Sequence, residues 1–156
     1  MQYALAEAKK AFEEDEVPVG AVITDKSGEI IGTGRNSREG HLKIEGHAEI
    51  NAINEAAAGL GTLKLEGCEL YVTLEPCAMC TQAIIDSGIK TVFYGADSPG
   101  FGACGGLINL AYPRLEAFGG FLAEESEGLL GEFFEKKRKK NEKNEYAGDF
   151  FRDKRM

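Results

Sequence analysis

The chain has 156 residues, of which 43% are hydrophobic, and its formal net charge is −8. This length fits one domain with a single core, and the hydrophobic content is ordinary for a soluble globular protein. No apolar stretch approaches the roughly 20 residues that span a bilayer, and no signal peptide is visible. We therefore expect a cytoplasmic protein without membrane contact, whose four cysteines stay reduced.

Apolar periodicity predicts helices and strands in alternation along the chain. A helix at residues 3–14 precedes two strands at 19–24 and 29–33, which a short turn connects as a hairpin. Gly59 and Gly88 are predicted to end two later helices. The remaining predicted elements, in chain order, are a helix at 47–58, a strand at 69–73, a helix at 76–87, strands at 91–94 and 115–118, and a helix at 123–140.

The order of these elements predicts an α/β fold, because alternating strands and helices form a sheet covered by helices. The hairpin near the start makes the sheet mixed rather than wholly parallel. We expect a central sheet of about five strands flanked by helices, built from one domain at residues 1–140. Residues 141–156 hold four acidic and four basic side chains and are predicted to form a flexible, polar C-terminal tail.

Two short motifs carry the predicted chemistry, HAE at residues 47–49 and PCAMC at residues 76–80. Cys77 and Cys80 are three residues apart, so on one helical turn they share a face and can chelate one ion. His47 supplies a third ligand from a separate element. Structural zinc sites normally have four protein ligands, whereas a catalytic site keeps one position open for water. The motifs therefore predict a catalytic zinc site with one ion per chain.

Glu49 is the predicted proton carrier beside this site. Its two-residue spacing from His47 does not place both side chains on one helical face, which argues against a fourth metal ligand. A carboxylate close to the metal can move protons at neutral pH. Each motif has common alternatives. Cysteine pairs also occur in redox sites, structural zinc sites and buried cores. Most His-x-Glu triplets lie on ordinary helix surfaces. Their combination favours the catalytic interpretation.

The predicted elements bring these ligands together, because both motifs lie at helix starts, and such starts share a crevice in an open α/β sheet. Helix N-termini also favour thiolates and provide donors for negative charge. The glycine-rich segment at residues 95–106 is predicted to be a loop at the pocket rim, either as a substrate contact or as a plain surface connection. Cys68 and Cys104 are interpreted as small buried or loop residues.

Positive charge is concentrated near the C-terminus. Residues 1–135 hold 9 basic and 22 acidic side chains, so the body of the protein is acidic. Phosphate contacts supply most non-specific affinity for nucleic acids, and one dense basic run is present that could make them. Such a run is either an RNA contact or a solvated helix end that complements the helix dipole. The candidate RNA-binding residues are Lys136, Lys137, Arg138, Lys139 and Lys140.

From about residue 5 to residue 140 the chain resembles the bacterial tRNA adenosine deaminases of the cytidine deaminase superfamily. The metal motif alone occurs in deaminases of many small molecules, whereas VTLEPC and EVPVG narrow the match towards the tRNA branch. The resemblance implies a three-layer cytidine-deaminase-like fold and a homodimer. The segments that carry it are EVPVGAV at 16–22, RN at 35–36, GHAEI at 46–50, LYVTLEPCAMC at 70–80 and FF at 133–134.

The resemblance also implies the reaction and the residues that perform it. Zinc held by the histidine and the two cysteines would activate a water that attacks the base carbon bearing the amine, and Glu49 would transfer protons. Asn36 matches the family residue that hydrogen-bonds the base, although asparagine after a strand is also common in turns. Val17 and Pro18 would form an apolar wall. The other predicted substrate contacts are Ala48 and Ser98.

The sequence leaves three functions open. The implied one is hydrolysis of adenosine to inosine at the wobble position of the tRNA anticodon arm, with release of ammonia. The second is deamination of a small free base or nucleoside, such as guanine, cytosine or an adenine analogue. The third is a zinc-stabilised binding module, in which Glu49 would be incidental.

The acidic body favours the small-base alternative, and so do three departures from the family pattern. The segment at residues 107–121 is shorter than in the family. The family's rim-loop aspartate aligns with Ser98, or with Asp97 after a one-residue shift. LKIEG at residues 42–46 replaces the usual stretch before the histidine.

Overall fold

The computed structural model describes the backbone of residues 1–152 and the side chains of residues 1–142. Within these residues the chain forms five strands and five helices. The strands are β1 (Gly20–Thr24), β2 (Ile30–Arg35), β3 (Glu69–Leu74), β4 (Thr91–Ala96) and β5 (Glu116–Phe118). The helices are α1 (Gln2–Glu13), α2 (Arg38–His41), α3 (Ala48–Leu60), α4 (Ala78–Asp86) and α5 (Ala123–Arg152).

The strands form one mixed sheet in the order β2-β1-β3-β4-β5. β1 is antiparallel to both β2 and β3, whereas β3, β4 and β5 are parallel. The turn between β1 and β2 is held by Asp25, whose Oδ1 accepts hydrogen bonds from the Ser27 N–H (2.9 Å) and the Ser27 hydroxyl (2.6 Å). The prediction of an α/β fold with a mixed sheet of about five strands is confirmed.

Helices cover both faces of the sheet, because neighbouring residues of a strand point to opposite sides. A Cβ atom on Gly20 of β1 would lie 2.0 Å from the Ala4 carbonyl oxygen of α1. Gly34 of β2 pairs with Ala21, the neighbour of Gly20, and a Cβ atom on Gly34 would lie 2.1 Å from the Ala48 carbonyl oxygen of α3. α1 and α3 therefore pack closely on opposite faces, which makes the fold three-layered.

The hydrophobic core is built from apolar strand residues and the helices that cover them. Leu70, Val72 and Val92 from the sheet and Ile84 of α4 are fully buried. Burial of a side chain of this size stabilises the fold by about 1.5–3 kcal/mol. α4 contacts α3, while α5 contacts α1 and β4. The core thus fixes the starts of α3 and α4, where both predicted motifs lie.

Several helix bounds differ from the sequence prediction. α3 continues through Gly59 and ends where Gly61 adopts a left-handed φ of 68°, so the prediction that Gly59 ends the helix is wrong. The sequence pattern does not predict α2, because four residues are too few to show a helical period. None of the helices in the described part of the chain has the length and hydropathy of a membrane span.

The C-terminal region was predicted to be a helix followed by a flexible tail. α5 extends past residue 140 to Arg152, so the backbone of the predicted tail is helical as far as it is described. The boundary between domain and tail remains a prediction. Residues 153–156 lie outside the described residues.

Candidate active site

Three metal-ligand side chains meet where α3 and α4 begin. His47 is the N-cap residue of α3, Cys77 is that of α4, and Cys80 lies in the first turn of α4. The Nδ1 atom of His47 is 3.6 Å from Cys77 Sγ and 3.4 Å from Cys80 Sγ. Zinc–sulfur and zinc–nitrogen bonds of about 2.3 and 2.0 Å set tetrahedral ligand separations of about 3.6 Å. The donor atoms, all within 4.8 Å of one another, therefore fit one zinc ion.

The surroundings of Cys77 favour its thiolate form. The Cys80 side chain hydrogen-bonds Cys77 and, with the neighbouring His47, lowers the pKa of Cys77 to about 4. Cys77 is also the residue at the N-terminus of α4, where the helix dipole stabilises an anion. Metal binding requires deprotonated cysteines, so this position is suited to a metal ligand.

Glu49 lies in the first turn of α3, two residues after His47, and only 4% of its surface is exposed. Burial raises the pKa of Glu49 to about 6, although a backbone hydrogen bond and the nearby His47 act in the opposite direction. Glu49, His47 and Cys77 all line one cavity. The structure therefore brings the predicted proton carrier to the predicted metal ligands.

The cavity has a volume of about 280 Å³, close to the lower end of the range for ligand pockets. Val17, Leu74 and Phe101 give it apolar walls, and Glu16 and Glu39 add carboxylates to its lining. This volume suits a single base, whereas a base pair or a stacked strand would need much more space.

The predicted substrate contacts are divided between the lining and the layer behind it. Val17, Asn36 and Ser98 line the cavity. Pro18 and Ala48 are buried but lie outside the lining. Asn36 also has a structural contact, because its Oδ1 accepts a hydrogen bond from the Ala48 N–H at 3.1 Å. This bond orients the amide of Asn36 at the start of α3.

Sequence analysis missed the role of two buried carboxylates in the cavity wall. Glu16, which is 4% exposed, accepts hydrogen bonds from the backbone N–H groups of Glu39 and Gly40 at 3.2 and 2.7 Å and so holds α2 in place. Glu75 accepts three such bonds from the rim loop. This loop spans residues 97–106, so its predicted start at residue 95 is wrong, because residues 95 and 96 belong to β4. Glu16 and Glu75 both belong to motifs that carry the family resemblance. In the sequence, a carboxylate among apolar residues that are predicted to be buried indicates such a role, because a buried carboxylate must accept hydrogen bonds.

The basic run lies on α5, next to the end of α1. Lys137 Nζ is 2.7 Å from the Asp15 carboxylate, and Lys140 Nζ is 3.9 Å from the same group. Lys136 Nζ lies 5.3 Å from the centroid of the Phe12 ring, which is a cation–π distance. Part of the predicted RNA-binding charge is therefore engaged by the protein itself.

A groove of about 520 Å³ lies beside Lys137 of the basic run. Phe133 and Lys137 of α5 line it together with Glu16, Val17 and Glu39. The last three residues also line the cavity, so the groove and the cavity adjoin.

Known proteins are similar to this chain in sequence. Residues 1–96 match the family described as the cytidine and deoxycytidylate deaminase zinc-binding region. Over 145 residues the chain is 46% identical to the tRNA-specific adenosine deaminase of Bacillus subtilis (strain 168), with 90% of this chain and 89% of that protein covered. The predicted resemblance to bacterial tRNA adenosine deaminases is confirmed.

Solved structures share the fold. One comes from biochemical and structural studies of A-to-I editing by tRNA:A34 deaminases at the wobble position. It superposes with a TM-score of 0.77 and 37% identity over 83% of this chain and 97% of that one. Guanine deaminase from Nitrosomonas europaea superposes with a TM-score of 0.75 and 28% identity, over 85% of this chain and 81% of that one. The chain therefore belongs to the cytidine and deoxycytidylate deaminase family and is a zinc-dependent hydrolytic deaminase.

Proposed function

We propose that this chain converts adenosine to inosine at the wobble position of a tRNA, by a hydrolysis that releases ammonia. The observation that carries the proposal is the convergence of His47, Cys77, Cys80 and Glu49 on one base-sized cavity. Zinc bound there would supply a Lewis acid that makes water nucleophilic at neutral pH. The similarity to the Bacillus subtilis tRNA-specific adenosine deaminase supports tRNA as the substrate.

Glu49 moves the protons in this proposal. Its carboxylate accepts a proton from the attacking water and delivers it to the ring nitrogen. It then accepts the remaining proton from the hydroxyl group added to the base carbon and passes it to the departing amine, which leaves as ammonia while the carbonyl of inosine forms. Water and adenosine are thereby converted to inosine and ammonia without a further reactant. The near-complete burial of Glu49 shields these transfers from bulk water.

The cavity lining binds the base in this proposal. Val17 and Phe101 contact its faces, because both are apolar and line the cavity. The bond from the Ala48 N–H fixes the carbonyl end of the Asn36 amide, so we assign the amide nitrogen a donor role towards the base. Ser98 contributes a polar group from the rim loop. The predicted contacts of Pro18 and Ala48 remain predictions.

The target base must leave its stack to enter a cavity of this size. Bases in a single-stranded anticodon loop can be splayed out at low cost, whereas a paired base must first be unpaired. The flanking nucleotides would follow the groove between Val17 and α5. There Phe134, which is 45% exposed, offers an aromatic face for a base, and residues 136–140 offer cations for phosphates.

A homodimer in the cytoplasm is part of this proposal. Exposed apolar side chains support it, since Leu42 is 90% exposed and Ile44, Leu107 and Tyr112 are 77%, 61% and 79% exposed. Such groups mark interaction surfaces when they form a patch. Light scattering should give twice the chain mass of 16.9 kDa, and a monomer at micromolar concentration would contradict the dimer.

A small free base is the second candidate substrate. The observation that favours it is the superposition of guanine deaminase from Nitrosomonas europaea, with a TM-score of 0.75. Ammonia release from an anticodon stem-loop and from a panel of free bases separates the two candidates. Any ammonia release that depends on Glu49 excludes a binding module without catalysis.

A further inference from the structure

Glu75 is a buried carboxylate at the junction between β3 and the metal-ligand segment. It is 3% exposed, and it immediately precedes Pro76 and the ligand Cys77. Among the side chains that the structure describes, Glu75 forms no ion pair. A buried carboxylate without a cationic partner requires hydrogen-bond donors, because its desolvation is costly.

All three of its donors are backbone N–H groups of the rim loop. Ser98 donates to Oε2 of Glu75 at 2.9 Å, while Cys104 and Gly106 donate to Oε1 at 3.1 and 2.8 Å. Hydrogen bonds from neutral donors to a carboxylate are stronger than those between neutral groups. One side chain thus holds both ends of the loop.

The loop backbone lies directly on the Glu75 carboxyl group. A Cβ atom on Gly106 would be 2.6 Å from Oε2 of Glu75, and one on Gly102 would be 2.3 Å from its Cδ. Gly100, in the same loop, has no heavy atom within 4 Å of such a Cβ position. Positions 102 and 106 therefore require glycine because their backbone lies against Glu75, whereas a side chain at position 100 would have open space around it.

The same loop forms a wall of the base cavity. Ser98 and Phe101 line the cavity together with Glu75 itself. The loop also bonds to the metal-ligand segment, since the Ala103 N–H donates to the Pro76 carbonyl at 2.8 Å and Gly102 forms a bridge with Cys77. Glu75 thus connects the cavity wall to the chain that carries two of the three ligands.

We propose that Glu75 is a positioning residue, which holds the rim loop as a wall of the base cavity and thereby sets the affinity for the target base. Glu75 transfers no proton in this scheme, and it acts on the substrate through Ser98 and Phe101. The identity of that substrate, an adenine base in RNA, rests on the proposed function.

The substitution Glu75→Gln tests the proposal at nearly constant side-chain volume. Glutamine offers one carbonyl oxygen in place of two carboxylate oxygens, so its amide N–H₂ must face at least one loop N–H group. We expect KM to rise ~10-fold, the effect of one lost hydrogen bond to a charged group, while kcat changes less than about threefold. Zinc content should remain about one per chain, because the three ligands are unchanged.

Amide hydrogen exchange followed by NMR gives a readout that needs no substrate. In Glu75→Gln the amides of Ser98, Cys104 and Gly106 should exchange ~10-fold faster, since exchange reports local opening, while those of β3 and β4 keep their protection. Glu16→Gln is the matched control, since it removes a buried carboxylate that bonds two backbone amides of α2. That variant should speed exchange at Glu39 and Gly40 and leave the rim loop unchanged.

A second pair of variants tests the contact from the loop side. Gly106→Ala should push the loop away from Glu75 and reproduce both the rise in KM and the faster exchange. Gly100→Ala, in open space, should change neither. Unchanged loop exchange in both Glu75→Gln and Gly106→Ala would overturn the proposal. Faster loop exchange with an unchanged KM in these two variants would also overturn it. A decrease in kcat or in zinc content alone, without a rise in KM, would overturn it as well.

These measurements also separate the proposal from the proposed function. If the wild-type protein deaminates no RNA, the proposed function fails, and KM is then measured with whichever base is turned over. The exchange results for Glu75→Gln and Gly106→Ala still decide whether Glu75 holds the loop.

Discussion

The Nδ1 atom of His47 lies 3.4 Å from the Sγ atom of Cys80, although 33 residues separate them in sequence. Two local features produce this contact. Gly34 allows α3 to pack closely on β2, and β3 leads within a few residues into α4. The starts of both helices therefore meet beside the sheet, and one side chain from each arrives at the same point.

The metal site can be tested by removing one thiolate at a time. Purified protein should contain about one zinc ion per chain, and Cys77→Ser or Cys80→Ser should lose most of it, because two ligands hold zinc poorly. Elemental analysis by mass spectrometry measures the content. Cys68→Ser is the control and should retain zinc, since Cys68 lies outside the ligand cluster. Full occupancy in both ligand variants would show that the ligands are misassigned.

Glu49 can be tested without disturbing the metal. Glu49→Gln should keep its zinc and its fold yet lose turnover by roughly 10²–10⁴-fold, the usual contribution of a positioned acid or base. Single-turnover assays on an anticodon stem-loop measure the loss, and circular dichroism checks the fold. Activity within a few-fold of the wild type would exclude the proposed proton transfers.

A pair of glycine variants tests how the fold positions the site. Gly34→Ala should destabilise the protein by about 1–3 kcal/mol, the usual cost of overpacking, because its new Cβ would lie 2.1 Å from the Ala48 carbonyl oxygen. Gly59→Ala should instead stabilise it by roughly 0.5–1 kcal/mol, because alanine favours a helix interior and Gly59 has open space around it. Urea unfolding of zinc-loaded protein measures both, and equal effects of the two variants would contradict this packing.

The basic run predicts a salt-dependent contribution to RNA binding. Conversion of residues 136–140 to serine should weaken stem-loop binding, most strongly at low salt. It should also flatten the slope of log affinity against log salt by about 0.7–0.9 per phosphate contact removed. Filter binding from low to moderate salt measures this slope.

The salt-dependence experiment needs a control for the loss of positive charge, and one ion pair within the basic run has to be considered. Lys64→Ser with Lys90→Ser removes two exposed cations outside the basic run and should leave the slope nearly unchanged. Lys139 pairs with Glu135 at 2.7 Å, but both side chains are well exposed, so this pair should open at little cost. Binding that is indifferent to all five substitutions at every salt concentration would make the run a solvated helix end.

Most of the helices and strands could be predicted from local patterns of apolar residues in the sequence. The strand and helix periods predict every strand of the sheet and four of the five helices in the described residues. The end of α3 is a failure of the same reasoning, because Gly59 is tolerated inside a helix and only Gly61 adopts the left-handed backbone. α2 depends on a tertiary contact, the Glu16 carboxylate, which no local period can reveal.

The metal ligands could be predicted because metal coordination restricts their spacing in the sequence. Cys77 and Cys80 must share one helical turn, and His47 must begin another helix, so the sequence alone restricts the geometry. The roles of Glu16 and Glu75 could not be predicted in this way, since their partners are backbone amides that lie 23 to 31 residues away. The groove between Val17 and Lys137 likewise exists only after α5 packs beside α1.

The most direct test of the central claim is the product analysis of an RNA stem-loop with adenosine at the wobble position. We predict that zinc-loaded protein forms inosine at that single position and releases one ammonia per inosine. A stem-loop in which the same adenosine is base-paired should react far more slowly, because the base must be extruded. Free adenine, guanine and cytosine should be turned over poorly. Ammonia release from a free base, with no stem-loop or tRNA deaminated at any salt concentration, would contradict tRNA editing and establish a small-base deaminase.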